Sequence, residues 1–105
     1  MSRQIKFIGH AYLWFDRING NTYHSVEITR CRDGAVLYAP YQYGYGECYR
    51  QTALEAMSRA KWLPRKYRGN RGVGLCYLYE RENNYPIQWI TTDSTKRECI
   101  AHGVK

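Results

Sequence analysis

The sequence predicts one α+β domain over residues 1–105, with the element order βββαββα, in which an antiparallel sheet carries its helices on one side. Residues 5–16 alternate between apolar and polar side chains, as in a half-buried strand. The Asn-Gly pair at 19–20 and the Asp-Gly pair at 33–34 are typical of tight hairpin turns. Residues 47–63 then change to helical spacing, so one main helix follows a three-strand meander and packs on one of its faces.

The first hairpin is predicted to close with a two-residue turn at 19–20. That register would place Leu13 opposite Val26 and Ala11 opposite Ile28, so that apolar side chains meet on one face of the sheet. The agreement between the turn signal and the apolar pattern supports the hairpin.

The remaining elements follow from local signals. In chain order we expect a helix (47–63), a basic loop (65–72), a strand (75–82), a turn (83–84), a strand (86–92) and a short final helix. Pro40 cannot donate to a sheet, so the third strand ends there or lies at an edge. Pro64 stops the main helix. Thr95 and Glu98 have capping-box spacing, and Gly103 is a natural helix end.

Composition restricts the class of protein. Hydrophobic content of 44% is that of a globular chain, and no apolar run approaches the roughly 18 residues that span a membrane. The first residues lack a signal-peptide cleavage site. Four cysteines without a C-x-x-C pair are interpreted as small, buried, reduced thiols in a cytosolic protein. Cys99 and His102 alone have a metal-like spacing, so we expect neither metal nor cofactor.

Positive charge is concentrated in one segment. The formal net charge is +7, and residues 56–79 contain no Asp or Glu. Trp62 and Tyr67 lie among the cations of this segment. The six cations are Arg59, Lys61, Arg65, Lys66, Arg68 and Arg71. Such side chains suit phosphate contact and base stacking, so the segment predicts a site for nucleic acid or an acidic protein face. The alternative is a solvated face that only keeps the chain soluble.

Tyrosine and glycine crowd the segment YQYGYGECY at 41–49. One interpretation is a sharp joint between strand and helix, which glycine makes possible. The other is a recognition rim that includes Tyr43 and Tyr45, because tyrosine is enriched at protein interfaces. The fingerprints of phosphate-binding loops are absent, since Glu47 and Cys48 stand where small or cationic residues are needed.

Aromatic side chains also share one face of the predicted meander. If the aliphatic side meets the helix, the opposite side carries His10, Tyr12, Trp14, Tyr23 and Tyr38. Exposed rings on a sheet stack unpaired bases in many small domains. The alternative is that later elements or a partner cover them.

Catalytic motifs are missing. Three histidines and nine acids occur without a nucleophile elbow, an H-E-x-x-H sequence or a carboxylate pair. Acid–base cleavage of RNA by His10 or His24 with Lys6 would be the remaining route to an enzyme. We therefore expect a binding protein and keep a small metal-independent nuclease as an alternative.

Three segments carry a resemblance: NGNTYHSVEITRCRDG, YGYGECYRQTALEAM and YERENNYPIQW. They resemble parts of small uncharacterised proteins encoded by bacteriophages and other mobile elements. The resemblance implies a host-takeover or anti-defence role, such as inhibition of a CRISPR effector. A basic inhibitor of this kind would hold nucleic acid or a nucleoprotein complex. The alternative is a protein–protein inhibitor that uses the aromatic sheet face or the tyrosine loop.

Overall fold

The computed structural model describes residues 4–44, 46–67 and 75–103. Its strands are β1 (Phe7–Asp16), β2 (Asn21–Arg30), β3 (Val36–Tyr43) and β4 (Ile87–Asp93). Its helices are α1 (Cys48–Arg59), α2 (Leu75–Glu82) and α3 (Lys96–His102), with one 3₁₀ turn at Arg65–Tyr67. The predicted α+β class is confirmed.

The sheet is mixed and not purely antiparallel, so that part of the prediction is wrong. Its strand order is β3-β2-β1-β4. The pairs β1–β2 and β2–β3 are antiparallel, whereas β4 runs parallel to β1. A parallel strand needs a crossover connection, and α1 and α2 both lie within it. Pro40 is tolerated inside β3 because that strand lies at an edge.

The predicted strand at 75–82 is a helix, and the predicted order βββαββα is therefore wrong. Cys76, Tyr79 and Glu80 are buried while Tyr77 and Arg81 are exposed, which is the i, i+3, i+4 spacing of a half-buried helix. The Cys76 thiol donates to Glu80 Oε1 at 2.9 Å across one turn. Short apolar runs such as this one fit a strand or a helix equally well by pattern alone.

The first hairpin forms with a register two residues from the predicted one. Ala11 faces Val26 and Leu13 faces His24, across a loop of residues 17–20. The Asp16 carboxylate accepts hydrogen bonds from two backbone N–H groups and one side-chain amide of this loop, at 2.8–3.3 Å, and so stabilises the longer turn. A shift of two residues keeps every side chain on its predicted face.

Helix α1 covers the aliphatic face of the sheet. Leu54 and Met57 are fully buried, and so are Ala11, Val26 and Ile28 of the strands. These residues belong to one continuous apolar cluster. Full burial of a leucine or methionine side chain contributes about 1.5–3 kcal/mol. The predicted packing of one main helix on one face is confirmed.

The aromatic face is partly covered by α3, so the helices do not gather on one side as predicted. The Ser25 hydroxyl donates to the Cys99 carbonyl at 2.6 Å, and the Cys99 thiol donates to the Tyr12 carbonyl at 3.2 Å. His102 stacks on Tyr12 with ring centroids 3.7 Å apart. The capping box of Thr95 and the helix end at Gly103 are as predicted.

The described part of the 41–49 stretch is a joint between β3 and α1. An added Cβ at Gly44 would lie 2.7 Å from the buried His24 ring, so only glycine fits there. His24 Nδ1 donates to the Gly44 carbonyl at 3.1 Å, which leaves Nε2 to accept from the Thr52 hydroxyl at 2.8 Å. The neutral imidazole thus connects β2 to Gly44 in the joint and to Thr52 in α1.

The pH dependence of stability provides a test of this joint. Burial lowers the pKa of His24 below its ordinary value of 6.5. His24 therefore takes up a proton at a higher pH in the unfolded chain than in the folded chain. Its contribution to the free energy of unfolding is complete above pH 6.5 and falls as the pH drops below that value. We expect the urea midpoint to decrease between pH 7.5 and 5 by more in the wild type than in His24→Gln. Equal pH dependence of the two proteins would contradict the buried neutral imidazole.

Candidate functional site

A cleft of about 660 Å³ opens at the start of β1. Segments distant in sequence form it: residues 4–7, the start of the β2–β3 turn, the segment that follows α1, and one face of α2. The residues that line it are Gln4, Ile5, Lys6, Phe7, Arg30, Cys31, Arg32, Lys61, Trp62, Leu63, Pro64, Tyr79 and Asn83. We call it the basic cleft. Its volume lies in the range of about 300–1,000 Å³ of small-molecule sites.

The electrostatic character of the basic cleft is strongly positive. Lys6, Arg30, Arg32 and Lys61 line it, and the described lining contains no Asp or Glu. Within the described parts of the chain, Lys6, Arg32 and Lys61 form no ion pair. Like charges gathered in a concave site raise the local potential and concentrate anions there.

Arg30 has a different role from the other three cations. Its guanidinium donates to both Asp33 carboxylate oxygens, at 3.0 and 2.7 Å. These bonds lower the pKa of Asp33 to about 2, so the carboxylate stays ionised at neutral pH. The Arg30 guanidinium also lies 4.5 Å from the centre of the Trp62 ring. Arg30 is therefore already neutralised and positions the indole beside the cleft.

The end of α1 places Lys61 and Trp62 at the cleft. The backbone N–H of Trp62 donates a hydrogen bond to the Met57 carbonyl at 2.9 Å, and the backbone N–H of Lys61 donates to the Ser58 carbonyl at 3.1 Å. The two bonds together form a Schellman motif. Lys61 has φ +62°, the left-handed conformation that glycine usually supplies. The helix thus ends at Arg59 and not at Leu63, so the prediction that Pro64 stops it is wrong. Trp62 then stacks on Phe7 with centroids 6.0 Å apart.

The predicted basic segment is only partly brought together. Of its described residues, Lys61 and Trp62 line the cleft. Arg59 and Arg65 are exposed outside the lining. Lys66 pairs with Glu82 at 2.9 Å, and this bond raises the pKa of the lysine.

The tyrosines predicted to contact a partner are separated. Tyr67 is 3% exposed, so it is a core residue and not part of a contact surface. Tyr43 is exposed, and it touches the edge of the Tyr23 ring (5.7 Å between centroids). Arg68, Arg71 and Tyr45 lie outside the described residues.

Three cations of the cleft were not predicted as binding residues, namely Lys6, Arg30 and Arg32, although Lys6 was considered as a catalytic partner of a histidine. A signal for two of them was present: R-C-R-D-G at 30–34 places both arginines beside a turn. The sheet register explains why Lys6 lies beside these two arginines, because Arg30 pairs with Phe7 and thereby brings the β2–β3 turn next to Lys6.

The aromatic sheet face offers few free rings. Tyr12 lies between His10 and His102, with centroid distances of 4.2 and 3.7 Å. Tyr23 lies between Trp14 of β1 and Tyr41 of β3, at 5.5 and 5.1 Å. Both tyrosines therefore use their two faces inside the protein, and neither offers a face to a base.

The histidines considered for catalysis do not meet a common partner. His24 is 1% exposed and both of its ring nitrogens are engaged. His10 bonds the Thr92 hydroxyl at 2.7 Å. No three His, Cys, Asp or Glu side chains among the described residues are grouped so that they could hold a metal ion.

The cysteines divide into two kinds. All four are free thiols. Cys76 and Cys99 are buried, and burial raises the pKa of both thiols. Cys31 and Cys48 are exposed, so the prediction that all four are buried is wrong for these two.

Of the helices in the described ranges, none combines the length and apolar character needed to cross a membrane.

The fold and the site define a small α+β protein with a basic cleft at one end of its sheet. Comparison with protein-family models, with curated proteins and with solved structures gives no match.

The left-handed backbone at Lys61 gives a stability prediction. This conformation costs a residue with a side chain about 1–2 kcal/mol, and a glycine would avoid that cost. Glycine also has more freedom in the unfolded chain, which lowers the gain in stability by about 0.5–1 kcal/mol. We expect Lys61→Gly to raise the free energy of unfolding in urea by about 0.5–1 kcal/mol. The matched control is Lys61→Ala, which removes the same charge and keeps the strain. Equal stability of the two variants would contradict a strained turn.

Proposed function

We propose that this chain binds nucleic acid, free or within a nucleoprotein complex, through the basic cleft. One observation supports this most directly: Lys6, Arg32 and Lys61 share a concave site with the Trp62 ring. Cations supply the phosphate contacts that dominate nucleic-acid affinity, and an indole supplies a stacking surface.

The charge of the whole chain favours the same class of partner. The net charge is +7, and Arg59 and Arg65 extend positive charge beyond the cleft. Long-range attraction of this kind speeds association with polyanions and falls with ionic strength. Binding would require no cofactor.

The resemblance to small phage-encoded proteins suggests where such binding would act. A protein that occupies the guide or target nucleic acid of a defence complex, such as a CRISPR effector, would inhibit that complex. The proposed biological role is therefore an anti-defence inhibitor that acts in the bacterial cytosol.

A second candidate function is inhibition through protein–protein contact at the opposite end of β1. Phe15 is 54% exposed and Ile18 is 94% exposed there. Phe15 is the penultimate residue of β1 and Ile18 lies in the loop that follows, and an exposed apolar patch on a folded protein often marks a protein interface. If this candidate is right, the protein should not bind free nucleic acid and should form a stable complex with one protein. The substitution Phe15→Ser should abolish that complex.

Substitution of the cleft cations tests the main proposal. We expect a labelled 20-nucleotide DNA to bind with an affinity that falls steeply between 50 and 200 mM salt, as measured by fluorescence anisotropy. In the triple variant Lys6→Gln, Arg32→Gln, Lys61→Gln, the log–log salt slope should be shallower by about 2–3, because each lost phosphate contact removes about 0.7–0.9.

The matched control removes three cations from the far end of the sheet. Arg17, Lys96 and Arg97 are exposed, and the ten residues of β1 separate that end from the cleft by roughly 33 Å. Their glutamine variant should keep most of the affinity. Absence of binding at 50 mM salt would overturn the proposal. An equal loss in both triple variants would show that net charge acts without a defined cleft.

A further inference from the structure

We infer that the basic cleft receives one unpaired nucleotide, with its phosphate on Lys6, Arg32 and Lys61 and its base against Trp62. The chain would then select single-stranded over double-stranded nucleic acid. This inference rests on the proposed function and specifies the form of its partner.

The shape of the cleft favours an unpaired nucleotide. Its cations line a recess of about 660 Å³. Lys6 precedes β1, Lys61 follows α1 and Arg32 lies in the β2–β3 turn, so the three do not form the protruding face of a single helix or hairpin. Proteins that read a duplex insert a protruding helix or a β-ribbon into the major groove. The phosphates of a duplex lie on a convex cylinder with its bases stacked inside, so a recess contacts that surface only at its rim. A flexible single strand can place a phosphate and a base inside together.

The Trp62 ring is held in place before any ligand arrives. It stacks on Phe7 with an interplanar angle of 17°, and the Arg30 guanidinium lies 4.5 Å from its centre. Arg30 is itself fixed by Asp33 at 2.7 Å. These two neighbours cover part of the indole, which remains half-buried, so a base would contact the part of the ring that they leave exposed. A ring that is fixed beforehand lowers the ordering cost of binding.

The division of labour among the cations fits the same ligand. Asp33 neutralises Arg30, so this arginine serves the ring. The three cations that remain form no salt bridge within the described residues, although the charge of Arg32 also contributes to the lowered pKa of Asp33. One of them, Lys61, keeps a left-handed backbone where glycine would be relaxed. Strain of this kind persists where a side chain has a use, and the use inferred here is phosphate contact.

Binding to matched oligonucleotides tests the inference. A labelled 12-nucleotide poly-dT strand and a labelled 12-base-pair duplex are compared by fluorescence anisotropy at 100 mM salt. We expect the single strand to bind at least about tenfold more tightly. Loss of one stacked base weakens binding about 5- to 150-fold, so Trp62→Leu should weaken single-strand binding by such a factor and duplex binding little.

A second variant protects the test against a folding defect, since Trp62 also packs on Phe7. Trp62→Phe keeps a planar ring and should keep most of the single-strand affinity. Quenching of tryptophan fluorescence by the strand should be seen in the wild type and reduced in Trp62→Phe, whereas a purely structural role would leave the quenching unchanged.

The outcomes separate the inference from the proposed function. Equal affinity for both oligonucleotides, or an equal loss for both in Trp62→Leu, would overturn the single-strand inference and leave nucleic-acid binding intact. Failure of both oligonucleotides to bind at 50 mM salt would overturn the two together.

Discussion

The left-handed turn at Lys61 is the constraint on which the cleft depends. It ends α1 in a Schellman motif and turns the chain back, so that Trp62 packs over Phe7 at the end of the sheet. A helix that continued to Pro64 would carry Lys61 and Trp62 along its own axis and away from the strands. The local cost of one strained residue thus places a cation and an indole beside the β2–β3 turn.

The crossover between β3 and β4 supplies the opposite wall. Because β4 is parallel to β1, the chain has to pass over one face of the sheet, and α2 lies on that path. Glu80 is 5% exposed and accepts hydrogen bonds from Cys76 and from Trp89 Nε1 at 2.9 and 3.2 Å. A buried carboxylate needs such partners. The bond from Trp89 joins α2 to β4, whereas the bond from Cys76 lies within α2. Tyr79, on the same helix, then reaches the cleft.

The two faces of the sheet are closed by different means. The aliphatic face is buried by α1, in one continuous apolar cluster. The other face is closed by stacked rings, such as Tyr12 between two imidazoles, and by hydrogen bonds that join Cys99 of α3 to Ser25 and Tyr12 of the strands. Since the rings of that face already stack on one another, the basic cleft is where an indole meets cations that form no salt bridge with any other described residue.

The sequence by itself determined the features that depend on neighbouring residues. Period-two alternation gave the faces of β1, and Thr95 and Glu98 gave the cap of α3. The predicted basic segment gave two residues of the cleft, Lys61 and Trp62. Only the tertiary structure decided whether 75–82 is helix or strand, because burial against α1 and β4 selects between patterns that are locally equivalent. It also brought Lys6, Arg30 and Arg32 to Trp62, since strand pairing joins residues that no local periodicity relates.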